Sequence, residues 1–133
     1  VLDCIDSYRV KAALLGHCRR RAVAVVTSGS SGGKQEPGRI RVSDLSRTEQ
    51  DPLLAKTRRL LRQEYGFPRD PGRRFELAAV WSDEPVRQPG ADRCGSSLNC
   101  GGFGSSMAVT ASFGLAAAAH VLQHLSQVTA RTK

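Results

Sequence analysis

Val1-Leu2-Asp3-Cys4-Ile5-Asp6-Ser7 and Ala22-Val23-Ala24-Val25-Val26-Thr27 are the two stretches whose reading decides the fold. Each is a short apolar run of the kind that fills a parallel strand buried on both faces. The first spans Val1 to Ile5 and closes on Asp6, with Ser7 placed as the N-cap of a helix. That helix, Tyr8 to Arg21, lies between the two runs. Val10, Leu14 and Cys18 recur every four residues, and Ala13 and Leu15 widen the apolar face. Strand, helix and strand within about thirty residues make a βαβ unit, for which a right-handed crossover is expected. The chain opens on a strand pattern with no capping or turn residues before it, so further residues are expected upstream.

Downstream of this unit, Ser28 to Gly38 is a loop of Gly, Ser, Lys and Pro. Arg39 to Asp44 alternates charged and apolar residues, the pattern of a half-exposed strand. Thr48 to Tyr65 reads as an amphipathic helix with Pro52 in its first turn and Leu53, Leu54, Leu60 and Leu61 facing inward. Its other face carries Lys56, Arg58, Arg59 and Arg62, and Gly66 stops it. Phe75 to Trp81 reads as a further strand, and Ser82 to Asn99 as irregular surface loop. The last element runs from Met107 to about Val128 and has no charged residue up to Leu122. A membrane span needs about 20 apolar residues; Thr110, Ser112 and His120 interrupt this run. Its small residues, Ala108, Ala111, Gly114, Ala117 and Ala118, suit close packing, so a buried helix at a domain or dimer interface is expected rather than a span. The pattern contains no internal repeat.

With 133 residues the chain can enclose one substantial core but not two. Its 40% hydrophobic and 24% charged residues are ordinary for a globular protein and argue against disorder. Twenty Lys and Arg against 12 Asp and Glu give a formal charge of +8. That excess fits a polyanionic partner such as nucleic acid, and equally a solvated arginine-rich surface. The four cysteines, Cys4, Cys18, Cys94 and Cys100, form no Cys-x-x-Cys pair, which argues against a zinc ribbon. Cys4 and Cys18 read as small core residues, and a reduced, cytoplasmic setting is expected.

Four groups of residues have chemical potential. Asp3-x-x-Asp6-Ser7 lies at a strand's carboxyl end, where open α/β sheets bind ligands; a carboxylate there can hold magnesium beside phosphates, or merely cap the helix. Ser28-Gly-Ser-Ser-Gly-Gly-Lys34 looks like a phosphate cradle, but Gln35 stands where a P-loop has Ser or Thr, and the residues after it do not read as a helix. It is read as a structural or lid loop. Asn99-Cys100-Gly-Gly-Phe-Gly-Ser-Ser106 opens the last helix, and a thiol near a helix N-terminus can become nucleophilic, or be incidental to a flexible connector. Arginines gather at Arg19 to Arg21, Arg58, Arg59, Arg62, Arg69, Arg73 and Arg74, suited to phosphate contact or to a plain solvated face. His17, His120 and His124 lack the spacing of a zinc site.

In this order the elements resemble the second half of the ubiquitin-activating-enzyme-like (ThiF/MoeB) superfamily of adenylating enzymes, in its tRNA threonylcarbamoyladenosine dehydratase branch. The resemblance rests on Val1-Leu-Asp-Cys-Ile-Asp-Ser7 with Lys11-Ala-Ala-Leu14, and on Ile40-Arg-Val-Ser-Asp-Leu45. It continues through Gln50-Asp-Pro-Leu53 with Ala55-Lys56, Asn99-Cys100 leading into Gly102-Phe-Gly104, and Val109-Thr-Ala-Ser-Phe-Gly114. It covers nearly the whole chain. It implies an α/β, Rossmann-like mixed sheet flanked by helices, whose nucleotide-binding first half is absent from this chain. Residues 1–45 would end the Rossmann-like core and 46–133 would form a branch-specific remainder of the same adenylating domain.

The chemistry implied is ATP-dependent adenylation of the threonylcarbamoyl carboxylate on a tRNA adenosine beside the anticodon, then ring closure with loss of AMP. On this resemblance Asp6 serves catalysis and holds magnesium, Ser7 and Lys11 line the ATP site with it, and Cys100 is a branch cysteine with a possible nucleophilic role. Arg58, Arg59 and Arg62 are the candidate tRNA contacts. A homodimer is implied, and a sulfur-transfer partner protein is conceivable. The phosphate loop, the ribose-binding acid and the triphosphate Arg and Lys of relatives have no counterpart here, so this stretch alone is expected to bind ATP poorly. The interval from Cys94 to Cys100 is also short for the branch. Two other functions fit the same residues: adenylation of a ubiquitin-like sulfur carrier, or a non-catalytic basic module that binds RNA or a partner.

Overall fold

The computed structural model describes residues 1–85 and 104–131. Strands β1 (Leu2–Asp3), β2 (Val26–Ser28), β3 (Ile40–Asp44) and β4 (Ala78–Ser82) form one sheet in the order β1-β2-β4-β3. The first three in that order are parallel, and β3 runs antiparallel to β4, from Ile40 opposite Ser82 to Asp44 opposite Ala78. Helices α1 (Tyr8–Arg20), α2 (Pro52–Glu64) and α3 (Met107–Arg131) complete the α/β architecture, with single 3-10 turns at Pro37–Arg39 and Leu45–Arg47.

Side chains alternate across a strand, so each sheet face gathers its own core. Val25, Ala79 and Trp81 join Ala12, Leu15 and Cys18 of α1 and Leu54 and Leu61 of α2. Val26 and Val80 face the other way, against Val109, Phe113 and Ala117 of α3. The molecule therefore has three layers: α1 with α2, the sheet, and α3.

Several expectations shift. The flanking strands are shorter than the apolar runs, because β1 keeps only Leu2 and Asp3 in the ladder and β2 starts at Val26. Ala22 instead ends α1 in the left-handed region (φ 53°), with Val23 N donating to Cys18 O and Ala22 N to Arg19 O. The buried face of α1 is Lys11, Ala12, Leu15, Gly16 and Cys18, whereas Val10 is exposed. Cys18 is buried as expected; Cys4 is exposed, because it stands just past the last paired residue of a two-residue edge strand.

Helix α2 begins later than its periodicity suggests. Asp51 caps it, its Oδ1 accepting from Leu54 N at 2.9 Å, and Pro52 fills the first turn. Gly66 ends it with φ +68°. Phe75 to Leu77 is not part of β4 but wraps the Asp44 carboxylate, which accepts from the N–H groups of Phe75, Glu76 and Leu77. Helix α3 is only half enclosed. Val109, Phe113 and Ala117 pack on the sheet, while Met107, Leu115 and Leu122 are exposed. By length and composition alone Met107–Gln127 is apolar enough to cross a membrane, although one face of it is committed to the sheet.

Candidate functional site

The starts of all three helices meet at the carboxyl edge of the parallel strands. Helix α1 begins just beyond the carboxyl end of β1. The α2 cap, Asp51, reaches the loop after β2, its Oδ2 accepting from Ser30 N at 2.8 Å. The start of α3 meets the same loop: Gly33 N donates to Gly104 O, and Thr110 Oγ1 lies 3.3 Å from Ser31 Oγ. Helix starts favour an anion, and at this edge that of α2 is already met by the Asp51 carboxylate.

Asp6 and Ser7 stand at this edge. Asp6 is exposed, and its carboxylate has no hydrogen-bond or ion-pair partner among the described residues. Ser7 occupies the N-cap position of α1, but its side chain makes no capping hydrogen bond. The purely capping role weighed for this pair is thus not what the side chains do. Among the described residues no group of three His, Cys, Asp or Glu is placed to hold a metal. A lone carboxylate still suits magnesium, which keeps most of its waters and uses one or two protein carboxylates beside phosphates.

Asp3 and Lys11 belong beneath the edge. Both are buried, with Lys11 Nζ 2.7 Å from Asp3 Oδ2. The ammonium also donates to Thr27 Oγ1 at 3.1 Å and to Ser28 O at 3.0 Å, so its three protons are all used. Asp3 accepts further from Thr27 Oγ1 at 2.6 Å and from Ile5 N at 3.0 Å. Lys11, expected to line an ATP site, lies beneath the edge with its ammonium fully engaged. Lys11 ties the ends of β1 and β2 together and fixes the turn that presents Asp6.

The Gly-rich loop is a built structure whose lysine points inward, and sequence reading missed its anchors. Lys34 is buried and donates to the carbonyls of Gln50 (3.0 Å), Ser82 (3.2 Å) and Glu84. Burial pushes its pKa down, against the raising influence of Asp51, Glu84 and Asp83. Glu84 Oε2 accepts from Gln35 N and Glu36 N at 2.9 and 3.0 Å. Burial also pushes the Asp51 carboxyl up, partly offset by the Leu54 and Ser30 N–H groups and by Lys34. Gly29 allows this closeness, since a Cβ there would overlap Asp51 Oδ2. The one sequence signal that could have located Asp51 was its place immediately before Pro52.

The arginines separate into two kinds. Arg58 is half-buried and donates to the carbonyl and hydroxyl of Thr48. Arg62 donates to Pro68 O at 3.2 Å and lies over the Phe75 ring. Of the expected tRNA contacts only Arg59 is exposed and uncommitted, because the other two turn back to brace the segments on either side of α2. Cys100, and with it Cys94 and most of the expected Ser82 to Asn99 loop, lies outside the described residues; the described part of the motif resumes at Gly104.

Sequence and structure comparisons agree on the relatives. No family model matches the chain. It is 42% identical over 129 residues to a tRNA threonylcarbamoyladenosine dehydratase of Haemophilus influenzae, covering 94% of this chain and 49% of the relative. It is 37% identical to the protein of that name from Escherichia coli, covering 98% of this chain and 53% of the relative. The crystal structure of the E. coli enzyme TcdA in complex with ATP superposes with a TM-score of 0.86 at 38% identity, over 100% of this chain and 50% of that one. The AMP complex gives the same TM-score at 39% identity. The chain spans about half the length of the curated relatives it matches.

Proposed function

We propose that this chain, a homologue of the tRNA threonylcarbamoyladenosine dehydratases over about half their length, contributes the Asp6 edge to an ATP-dependent dehydration of the threonylcarbamoyl group on tRNA. The observation that carries the reading is an exposed, unpartnered carboxylate at the edge where three helices begin, in a chain whose relatives bear that enzyme's name. With ATP bound, the threonylcarbamoyl carboxylate oxygen would attack the α-phosphorus and expel pyrophosphate, and ring closure of the resulting acyl-adenylate would then release AMP. Asp6 would hold magnesium at the phosphates, and Ser7 would offer its uncommitted hydroxyl beside it. Asp3, Thr27 and Lys11 position that turn. Cys100 needs no place in this scheme, since ring closure proceeds without a thiol. The exposed apolar residues of α3, Met107, Leu115 and Leu122, suit a homodimer contact, and a tRNA substrate suits the cytoplasm.

The test is AMP release by the intact protein in the presence of threonylcarbamoyl-modified tRNA. Asp6→Ala should lower it by at least about 100-fold, the scale of a lost electrostatic contact at a reacting centre. Unchanged AMP release in that variant would remove Asp6 from the chemistry. AMP release driven by a small protein ending in Gly-Gly, and not by tRNA, would favour the sulfur-carrier reading instead.

A further inference from the structure

We propose that the outer face of α1 and α2, together with the segment from α2 to Arg74, docks the phosphate backbone of an RNA stem. This deepens the tRNA reading above and rests on it for the choice of RNA among polyanions. Charge is the first support. Residues 8–21 and 52–74 hold twelve of the 20 Lys and Arg and only two of the 12 Asp and Glu. The rest of the chain carries eight cations to ten carboxylates, so the whole positive excess resides in these two segments.

Several of these cations are also uncommitted. The three ion pairs among the described residues are Lys11 with Asp3, Arg39 with Asp83 and Arg41 with Asp83, none of them on this outer face. The side chains of Arg20, Arg21 and Arg59 are exposed and have no hydrogen-bond or ion-pair partner among the described residues. Unneutralised cations on one surface are what displaces counterions from a nucleic-acid backbone.

The two helices present them together. Lys56 of α2 lies 5.9 Å from the ring of Tyr8 at the start of α1, and the Tyr65 ring just past α2 abuts Gly16, two turns further along α1. The helices thus run side by side in the same direction. From Asp6 to Arg20 is about 20 Å at roughly 1.5 Å per residue, a span on which a stem can lie while its loop reaches the Asp6 edge.

The aromatic residues decide stem over single strand. Binding of unpaired bases uses exposed rings as stacking platforms. Here Tyr8 is flanked by Arg9 and Lys56, Tyr65 is pressed against α1, and Phe67 and Phe75 are buried and contact each other. A surface dense in cations, whose Tyr and Phe rings are engaged by protein and whose one exposed ring among the described residues is the His17 imidazole, reads the shape and phosphates of a duplex rather than its bases.

The test compares the intact protein with its Arg20→Ala/Arg21→Ala/Arg59→Ala variant, using a short RNA hairpin, single-stranded polyuridine and polyglutamate as probes across a salt series. The hairpin is expected to bind tightest. The variant should weaken it by about 10- to 100-fold and flatten the slope of log K against log salt by about two to three. Arg41→Ala, on the outer strand β3 and away from α1 and α2, should leave both unchanged. Equal or tighter binding of polyuridine, or of polyglutamate at matched charge, would overturn the proposal, as would a folded variant with unaltered hairpin affinity. If the variant releases AMP with unaltered tRNA affinity, the docking face is wrong and the dehydratase reading stands. If the wild type binds the hairpin with the expected salt slope and never releases AMP, the face stands and the dehydratase reading fails.

Discussion

The carboxyl edge of the sheet and the α1–α2 face treat charge in opposite ways. At the edge, Lys11 is closed over by Asp3, Thr27 and Ser28, and Lys34 by three backbone carbonyls with Asp51 and Glu84 nearby. On the face, Arg20, Arg21 and Arg59 stay in water with no partner among the described residues. A buried charge dictates the shape of the chain around it, because leaving it unpaired costs several kcal/mol. An exposed one contributes almost nothing to stability and remains available to a partner. The edge is built to hold its geometry and the face to meet something else.

The sharpest way to break this contrast is Lys11→Met, which leaves the buried Asp3 carboxylate without its cation and with only Thr27 Oγ1 and Ile5 N as donors. A loss of about 3–5 kcal/mol in urea unfolding is expected; a loss below about 1 kcal/mol would place the pair with ordinary surface ion pairs. Lys34→Met should cost somewhat less, about 2–3 kcal/mol, by orphaning the carbonyls of Gln50, Ser82 and Glu84. Faster hydrogen exchange confined to residues 28–36 would locate the damage; no change there would detach Lys34 from the loop's shape.

Asp44 gives a milder effect that depends on pH. Burial opposes its ionisation, but hydrogen bonds from Ser46, Phe75 and Glu76 outweigh it and hold the carboxyl below its ordinary range. Its stabilisation is therefore full above the unfolded carboxylate range, about pH 4, and is lost as pH falls through the lowered folded value. Thermal melts should show Asp44→Asn less stable at neutral pH and less sensitive to acid than the wild type. Equal acid sensitivity would reassign it to other carboxylates. The smallest effect belongs to the face: replacing Arg20, Arg21 and Arg59 together by alanine should move unfolding free energy by about 0.5 kcal/mol or less. A larger loss would mean those side chains are structural after all.

Sequence reading went furthest where a pattern is local. The alternation of Arg39 to Asp44, the four-residue spacing of the helices and the stop at Gly66 each announce themselves within a few residues, and β3, α1, α2 and α3 are found there. Strand ends failed because a continuous apolar run carries no periodicity to mark where pairing stops, and Val1, Leu2 and Val23 are in fact exposed; Ala22 turns left-handed without a glycine to signal it. The partners of Lys34 lie 16 to 50 positions away, so nothing near it distinguishes an inward lysine from a phosphate ligand. Asp3 and Asp6 look equivalent three positions apart. Only folding separates them, by bringing Lys11 and Thr27 to the first and leaving the second in water.

The order β1-β2-β4-β3 also shapes how the chain must assemble. The first parallel pair joins Leu2 to Val26, a short closure spanned by a single helix, whereas the central pair joins Val26 to Ala78. Closing that longer loop loses more chain entropy before any contact repays it. The β1–α1–β2 unit can therefore form early, while the middle of the sheet waits for α2 to arrive. By loop-closure entropy the innermost ladder of the sheet is expected to form after the β1–α1–β2 unit.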